Sequence, residues 1–263
     1  MKYTEALYFT PFVLNLLRYL FIAGTAFLIF YVLFSRKFKT NKIQSKKAKR
    51  KDFLREISFS LQTIAIIAGV IMLIVFTGLR EHTQFYGDIN QYPIWWVPIS
   101  VVLALILHDT YFYWMHRSIH SKRLYRKVHY VHHRSINPSP WAAYSFGFLE
   151  GVLEALIAPI ILFIIPIHPI GLIAFTMMSL FINVYGHLGF EITPKWFRKS
   201  FLFEILNTSV HHNLHHEKFN GNYGLYFRVW DRIMKTENPN YVKSFDAIQQ
   251  KRFETKNKLS NRL

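Results

Sequence analysis

The sequence predicts an all-α integral membrane protein, with about four transmembrane helices and a helical cap on one side of the membrane. Apolar residues make up 51% of the 263 residues, and they are gathered into long runs that carry little or no charge. The rest of the chain is strongly basic, with a formal net charge of +17, and carries closely spaced histidines. Length alone would predict one or two soluble domains, but too little polar sequence remains to cover the apolar runs.

Three apolar runs are long enough to cross a bilayer. Residues 57–79 carry no charge. As a helix they would extend about 34 Å, more than the roughly 30 Å of a hydrocarbon core. Residues 19–34, with the turn before them, and residues 89–107 form the second and third candidates. The run nearest the N-terminus, residues 19–34, is long, and no small-residue cleavage site follows it before a soluble domain. We therefore do not expect a cleaved signal peptide.

A fourth apolar stretch, residues 155–190, is too long for one crossing and is interrupted by Pro159, Pro166 and Pro169. Proline inside a helix removes a hydrogen bond and clashes with the preceding turn. We therefore predict a membrane hairpin over residues 149–186 that turns near the last two prolines.

The distribution of basic residues predicts the topology. Residues 35–55 are densely basic, with only Asp52 opposing, and lie between the first two apolar runs. Nucleic-acid binding is a rival interpretation, but basic loops between spans are held on the cytoplasmic side, where they meet anionic lipid. The loop at residues 80–91 then lies on the other side, and a hairpin crosses an even number of times. Every histidine motif is therefore predicted to be cytoplasmic, and we expect no nucleic-acid partner.

The histidines occur in four motifs. "HYVHHRS" and "HHNLHHE" each contain His-x-x-His-His, whose members share one face of a helix, so we expect three imidazoles of each motif to point the same way. "HDTYFYWMHRSIH" adds a pair spaced i, i+4, and "NVYGHLGFE" adds an isolated histidine. The nine imidazoles are those of His116, His120, His129, His132, His133, His187, His212, His215 and His216.

Crowded histidines indicate metal binding. Neighbouring imidazoles disfavour one another's protonation, and apolar surroundings offer neutral imidazoles no partner, which a shared metal would supply. Nine imidazoles exceed the four ligands of one structural zinc and suit two ions with open positions. Iron, zinc and copper all accept nitrogen ligands, so the residues alone do not name the metal. The chain has no cysteine, which excludes disulfides and thiolate ligands.

Two rival interpretations are weaker. A zinc protease requires His-Glu-x-x-His, but Asn220 stands where the second histidine after His216 is needed. A metal carrier or channel should hold its ligands within the spans, whereas these histidines lie at or beyond the span ends. This position favours catalysis on a lipid.

With these histidine motifs, the chain resembles the fatty acid hydroxylase and sterol desaturase superfamily of integral membrane non-haem iron enzymes. The resemblance runs from about His108 to Tyr241 and is carried by "HDTYFYWMHRSIH", "HYVHHRSINPSPWAA", "GHLGFE" and "HHNLHHEKFNGNYGLYFRVWDRIMKTE", in this order. These motifs are similar to the C-5 sterol desaturase branch, including its bacterial relatives. The resemblance implies that the nine histidines hold two iron ions in a cytoplasmic cap, with zinc as an alternative occupant in purified protein.

The resemblance also implies a function. We expect a membrane-bound, dioxygen-dependent oxidoreductase that acts on a lipid C–H bond, as a sterol desaturase of the C-5 type. A hydroxylase of fatty-acyl or other lipids is the alternative, and a membrane metal-binding or transport protein is the non-enzyme alternative. No haem-binding or flavin-binding module is evident, so a separate cytochrome or ferredoxin is expected to supply electrons, and the basic surface favours an acidic one.

Six further residues are candidates for additional ligands or for orienting the ligands: His108, His211, Asn183, Asp109, Glu150 and Glu154. His108 is rotated about 80° from His116 around an ideal helix, which favours a structural role. His211 is spaced i, i+4 from His215 and could replace or supplement His212. Asn183 stands where some relatives carry a histidine, and the carboxylates could accept an imidazole N–H.

These observations predict four regions. Residues 1–56 hold the first span and the basic cytoplasmic loop, and residues 57–107 hold the second and third spans. Residues 108–241 form the catalytic region with the hairpin, and residues 242–263 form a polar basic tail. The expected location is a bacterial inner membrane, or the endoplasmic reticulum if the source is eukaryotic.

Overall fold

The computed structural model describes residues 2–46 and 48–260, with side chains for 9–46 and 48–254. Over these residues the chain is helical, with isolated bridges and no strand. Four of the helices are long and apolar enough to cross a membrane. The prediction of an all-helical fold with about four membrane-spanning helices is therefore confirmed.

The helices follow one another in a simple order. The candidate membrane spans are α1 (Lys2–Phe27), which continues as a π-helix over Leu28–Leu33, then α2 (Arg50–Phe76), α3 (Trp96–Ile119) and, later in the chain, α8 (Pro169–Gly186). Between α3 and α8 lie α4 (Tyr125–Val128), α5 (Tyr130–His133), α6 (Phe148–Ala155) and α7 (Ile157–Ile164). After α8 come α9 (Phe201–Ile205), α10 (Ser209–Lys218), α11 (Val229–Ile233) and α12 (Tyr241–Ser260). Short 3₁₀ turns cover Lys39–Asn41, Gly78–His82, Pro140–Tyr144 and Lys195–Lys199.

The third span differs most from its predicted bounds of residues 89–107. Residues 89–95 form turns that contain Pro93, and the helix begins only at Trp96. It then continues to Ile119, because the aromatic and apolar residues beyond 107 are also helical. The first and second spans likewise begin earlier than predicted, and α2 ends at Phe76, where Thr77 starts the following turn.

The long apolar stretch after α5 folds back on itself. Pro159 has no N–H to donate to the carbonyl of Ala155, which accounts for the break between α6 and α7 at Leu156. The chain turns again at residues 165–168, between α7 and α8. This turn lies against the loop that precedes α3, where Gln84 N donates to Leu162 O and Tyr86 N donates to Ile167 O.

The opposite end of the bundle carries the basic segment and the histidine motifs. Ile43 N donates to Gly189 O, next to the isolated histidine. Gln44 Nε2 donates both to Ile136 O, after the first His-x-x-His-His motif, and to Asn213 Oδ1, inside the second. The motifs therefore meet at the end of the bundle that also holds residues 35–46, and the hairpin turn lies at the other end.

Helices α9 to α12 form the cap at the histidine end. Its core contains Phe203, Val210, Leu214, Tyr241 and Phe245, which are all buried. Burial of these side chains fixes α10, the helix of the second His-x-x-His-His motif, against α12.

Candidate metal centre

The nine histidines lie in two sets, each with one ligand atom per residue and all atoms of a set within 4.8 Å of one another. The five-histidine set contains His116, His120, His129, His133 and His215. The four-histidine set contains His132, His187, His212 and His216. Only His120 is half-buried, and the other eight are buried.

Each His-x-x-His-His motif serves both sets. His129 and His133 belong to the five-histidine set and His132 to the four-histidine set, whereas His212 and His216 belong to the four-histidine set and His215 to the other. The sequence predicted three imidazoles pointing the same way from each motif. The structure instead divides each motif, because neighbouring helical residues are separated by about 100° around the axis.

The local backbone of the two motifs differs. The first motif is not one regular helix: α4 ends at Val128, α5 begins at Tyr130, and His129 lies between them. The second motif lies on α10, where Thr208 Oγ1 accepts from His211 N at the start and Phe219 ends the helix with φ 61°.

Hydrogen bonds fix the tautomer of four of these histidines. Nδ1–H donates to a backbone carbonyl in His116, His132, His187 and His215, with acceptors Tyr223 O, Ser145 O, Asn183 O and Gly221 O at 2.7–3.2 Å. A carbonyl can only accept, so the proton of each neutral ring is on Nδ1 and the lone pair is on Nε2. In His129 the partner of Nδ1 is Glu150 Oε1, at 2.6 Å.

The Nε2 atoms then face one another at short range. The separations run from 3.0 Å between His116 and His129 to 3.4 Å between His132 and His187. Converging lone pairs repel unless a cation lies between them. Nitrogens about 2.1 Å from a shared ion would stand about 3.0–3.4 Å apart in octahedral or tetrahedral geometry, so both sets fit a metal ion.

Burial also keeps the imidazoles neutral. It lowers the pKa of His187 and of His215 to about 4, although the carbonyls of Asn183 and Gly221 act in the opposite direction. In the other histidines of the two sets from His129 onward, burial and then the neighbouring histidines hold the pKa well below its usual range. Neutral imidazoles are the form that binds metal, so the site needs no deprotonation near pH 7.

The predicted carboxylates have different partners. Glu150 lies under His129, as expected for a residue that orients a ligand. Asp109 Oδ1 instead accepts from three successive backbone N–H groups, those of residues 225–227, and so fixes the chain after the second motif. Glu154 stands one turn beyond Glu150 on α6, and among the described residues no hydrogen bond joins it to a histidine.

The other three candidates lie outside both sets. His108 Nδ1 contacts Tyr226 OH at 2.8 Å, between α3 and the chain after α10. The side chain of Asn183 donates to Ala143 O, and only its backbone carbonyl reaches His187. The ring of His211 packs edge-on against Tyr241 at 5.0 Å.

The sequence did not predict most of the groups that accept hydrogen bonds from the Nδ1 atoms of the histidines. Most of these acceptors are backbone carbonyls, which every residue type carries. Asp231 accepts from the N–H groups of Tyr223 and Gly224, and thereby fixes the carbonyl to which His116 donates. Asp231 belongs to the sequence Trp230-Asp231-Arg232, near the end of the segment that carries the family resemblance. This sequence thus has a structural role at the site.

Comparison with known proteins identifies the family. The fatty acid hydroxylase family model matches residues 101–236, a range that includes all nine histidines. A lathosterol oxidase from Rattus norvegicus is 32% identical over 68% of this chain and 59% of its own length. A Delta(7)-sterol 5(6)-desaturase from Gibberella zeae is 30% identical over 77% of this chain and 60% of its own length.

A very-long-chain aldehyde decarbonylase from Oryza sativa subsp. indica is 31% identical over 62% of this chain, but over only 28% of its own length. The match covers about three fifths of the two sterol enzymes. No solved structure matches the chain significantly. Because the family model covers more than half of the residues and contains both histidine sets, the chain belongs to the fatty acid hydroxylase family.

Proposed function

We propose that this protein is a membrane-bound, dioxygen-dependent oxidoreductase that removes hydrogen from a C–H bond of a sterol-like lipid, in the manner of a C-5 sterol desaturase. The observation that carries the proposal is the convergence of nine Nε2 or Nδ1 ligand atoms in two sets at the end of a membrane bundle. The nine histidines are the proposed ligands of two iron ions. Bound iron would supply the redox chemistry that activates dioxygen with electrons from a separate donor.

The chain's own residues orient the ligands and exclude water. Four backbone carbonyls and the Glu150 carboxylate hold Nδ1 protonated and leave Nε2 free to bind. The five-histidine and four-histidine sets would hold the two ions and would leave room for dioxygen and for the approach of substrate. Zinc suits the same nitrogens, and we expect zinc-loaded protein to be inactive because zinc has no redox chemistry.

The names of two relatives support a sterol substrate, since one is an oxidase of lathosterol and the other a desaturase of Δ7-sterols. Fatty-acyl or other lipid hydroxylation is the second candidate, and it is supported by the name of the family and by the aldehyde decarbonylase relative. A metal transporter is less favoured, because transport needs ligands along a path across the bilayer and both sets lie at one end.

The proposal includes an orientation. The basic segment at residues 35–46 shares an end with the histidines, and basic loops favour the cytoplasmic side. We therefore propose a cytoplasmic site in a bacterial inner membrane or, in a eukaryote, at the endoplasmic reticulum. The predicted division into residues 1–56, 57–107, 108–241 and 242–263 remains part of this proposal.

Product analysis tests the function. Membranes that contain the iron-loaded protein and a reducing system are supplied with a Δ7-sterol or with a fatty-acyl lipid, and products are identified by mass spectrometry. We expect a sterol product two mass units lighter than its substrate, and none from the His132→Ala variant. A product sixteen units heavier would favour hydroxylation. Absence of any product, in protein that carries about two irons per chain, would contradict the proposal.

A further inference from the structure

An open pocket lies beside the five-histidine set. It has a volume of about 470 Å³ and is lined by His133 together with Arg55, Tyr125, Tyr130, Arg134, Ile136 and Phe219. His133 Nε2 stands 3.2 Å from His120 Nε2 and 3.1 Å from His215 Nε2, so the ligand that lines the pocket also reaches the centre of the set. A single imidazole ring therefore separates the pocket from the proposed ion.

His133 differs from most of the other proposed ligands at its Nδ1 atom. Its Nδ1 has no hydrogen-bond partner among the described residues, whereas His116 and His215 of the same set donate to backbone carbonyls. His216 Nδ1 also lacks a partner, but His216 does not line the pocket. Five of the nine histidines thus have a carbonyl or carboxylate partner at Nδ1. His133 has no such partner and lies beside a pocket.

Phe219 forms part of the pocket wall in an unusual conformation. Its φ is 61°, in the left-handed region that bulky side chains rarely adopt. Its ring lies 5.0 Å from the ring of His133 and 6.4 Å from that of Tyr125, yet 38% of the residue is exposed. Such strain persists only where the surroundings hold it, and it is concentrated at functional sites.

The pocket lining combines apolar side chains with Arg55 and Arg134, and the segment of residues 117–134 supplies four of its seven residues. Tyr130 and Ile136 are 53% and 40% exposed. The segment from residue 117 to 134, which contains α4 and α5, has no acidic residue. Its exposed basic side chains are Lys122, Arg123, Arg126, Lys127 and Arg134. An apolar pocket lined by arginines, in a segment that carries only positive charge, is complementary to a protein surface of the opposite charge.

We propose that this pocket, which we call the His133 pocket, is the docking site of an acidic electron-transfer protein. The inference rests on the proposed function and gives its electron donor a place. Electron transfer slows steeply with distance, and a carrier seated here would be separated from the ion-binding nitrogen by the His133 ring. Each docking event would oxidise the carrier by one electron and reduce the centre by one, so two events supply one turnover.

Binding to redox-inert protein tests the docking site without requiring activity. The zinc-loaded protein is placed in phosphatidylcholine nanodiscs and titrated with an acidic plant-type [2Fe–2S] ferredoxin as the probe. We expect Arg134→Glu, in the pocket lining, and Arg126→Glu, next to the lining residue Tyr125, each to weaken binding about tenfold, and rising salt to weaken binding to the parent. Zinc content is measured in each variant and should be unchanged, which shows that the centre is intact.

Lys199→Glu is the matched control, because Lys199 is exposed, lies outside both the pocket lining and the 117–134 segment, and undergoes the same change of charge. We expect its affinity for ferredoxin to stay within about twofold of the parent. Equal weakening in Lys199→Glu and Arg126→Glu would mean that net charge, not the pocket, attracts the carrier. That result, or unchanged binding in both Arg126→Glu and Arg134→Glu, would overturn the proposal.

A lipid headgroup is the competing occupant, since an anionic headgroup too would be attracted by Arg134 and the basic side chains of the same segment. The titration is repeated in nanodiscs that contain phosphatidylglycerol, with a spin label on Ile136→Cys in this otherwise cysteine-free chain. Retained ferredoxin binding with immobilisation of the label on docking supports the proposal. A label immobilised by phosphatidylglycerol, with ferredoxin binding lost, would assign the pocket to lipid. Product formation is scored separately, so the docking site and the proposed function can fail independently.

Discussion

His132 and His133 are neighbours in sequence, yet they reach different sets, and His215 and His216 do the same. With one ion in each set, these adjacent residues would bring the two ions close together without any further bridging side chain. The ring centroids of His132 and His133 lie 5.8 Å apart. Adjacent histidines in both motifs join the five-histidine set to the four-histidine set as one site.

The first prediction concerns metal stoichiometry. His132→Ala should remove one nitrogen from the four-histidine set, and His215→Ala should remove one from the five-histidine set. The histidines that remain in each set should then bind their ion more weakly. We expect each variant to fall from about two ions per chain to about one, with loss of activity, as measured by elemental analysis and product assays. The helices should still insert, because their apolar faces meet lipid.

His82→Ala is the control for this pair, since His82 is exposed in the turn after α2 and lies in neither set. It should retain full metal content and turnover. If His132→Ala and His215→Ala also retained both, the assignment of these residues as ligands would be wrong.

The second prediction concerns the carboxylate under His129. Glu150 is buried and its Oε1 lies 2.6 Å from His129 Nδ1, so it positions the ring without touching the ion itself. Glu150→Ala should lower metal affinity about 10- to 100-fold in a chelator competition assay. Glu150→Gln keeps an acceptor oxygen and should recover part of the loss, which a purely structural effect of size would not explain.

Glu154→Ala is the matched control, one turn further along the same helix. Its metal affinity should stay close to that of the parent. A comparable loss in both alanine variants would mean that damage to α6, rather than the contact with His129, lowers the affinity.

The residue types of the site were predictable and its hydrogen bonds were not. Spacing singled out eight of the nine histidines that the structure gathers, and His187 was added as an isolated histidine. The division of each motif depends on tertiary packing, and the acceptors at Tyr223, Ser145 and Gly221 are backbone carbonyls. Any residue type can supply a carbonyl, so the sequence carries no signal for them.

At the scale of the element, the turn after α10 positions a hydrogen-bond acceptor for His215, one of the histidines on that helix. Phe219, Gly221 and Asn222 all have positive φ, and together they fold the chain back toward the histidines. This turn brings Gly221 O to 2.7 Å from His215 Nδ1. Glycine is required at 221, because φ is 74° and an added Cβ would stand 2.5 Å from Thr236 O.

The third prediction follows from this turn. Gly221→Ala should destabilise the protein by about 1–3 kcal/mol and move the carbonyl away from His215. We expect a lower melting temperature and loss of metal from the five-histidine set. Gly78→Ala is the control, since a Cβ there meets nothing within 4 Å, and it should change neither quantity. Full metal content in Gly221→Ala would show that the acceptor is dispensable.

Helix existence was easier to predict than helix bounds. Uncharged length predicted the spans, but the start of α3 was placed seven residues early, at 89 instead of Trp96. In the turns before α3, Ile94 and Trp95 are 70% and 59% exposed, and Trp96 Nε1 at the helix start donates to Pro166 O of the hairpin turn. Hydropathy does not distinguish such turn residues from those inside a span, because it reports side-chain polarity and not backbone conformation.

At the scale of the whole molecule, the two ends of the bundle have different charge. The histidine end holds the basic residues of the 35–46 segment and of α4, whereas the far end holds the short loop with Glu81 and Asp88 and the hairpin turn. Contacts at Gln44 tie the basic segment directly to both His-x-x-His-His motifs. The charge pattern and the metal chemistry therefore select the same end, although neither argument depends on the other.

The last prediction tests the resulting orientation. The chain contains no cysteine, so single cysteines can report topology without background. Ser45→Cys and Lys218→Cys lie at exposed positions of the histidine end, and Glu81→Cys lies at an exposed position of the far end. A membrane-impermeant maleimide applied to intact cells should label Glu81→Cys alone, and permeabilised cells should show labelling of all three. Positive charge on the cytoplasmic side is the physical reason, because basic loops resist translocation. Labelling of Ser45→Cys and Lys218→Cys from opposite sides would contradict the fold itself, whereas labelling of both from outside would reverse the orientation and move the proposed electron donor to the other compartment.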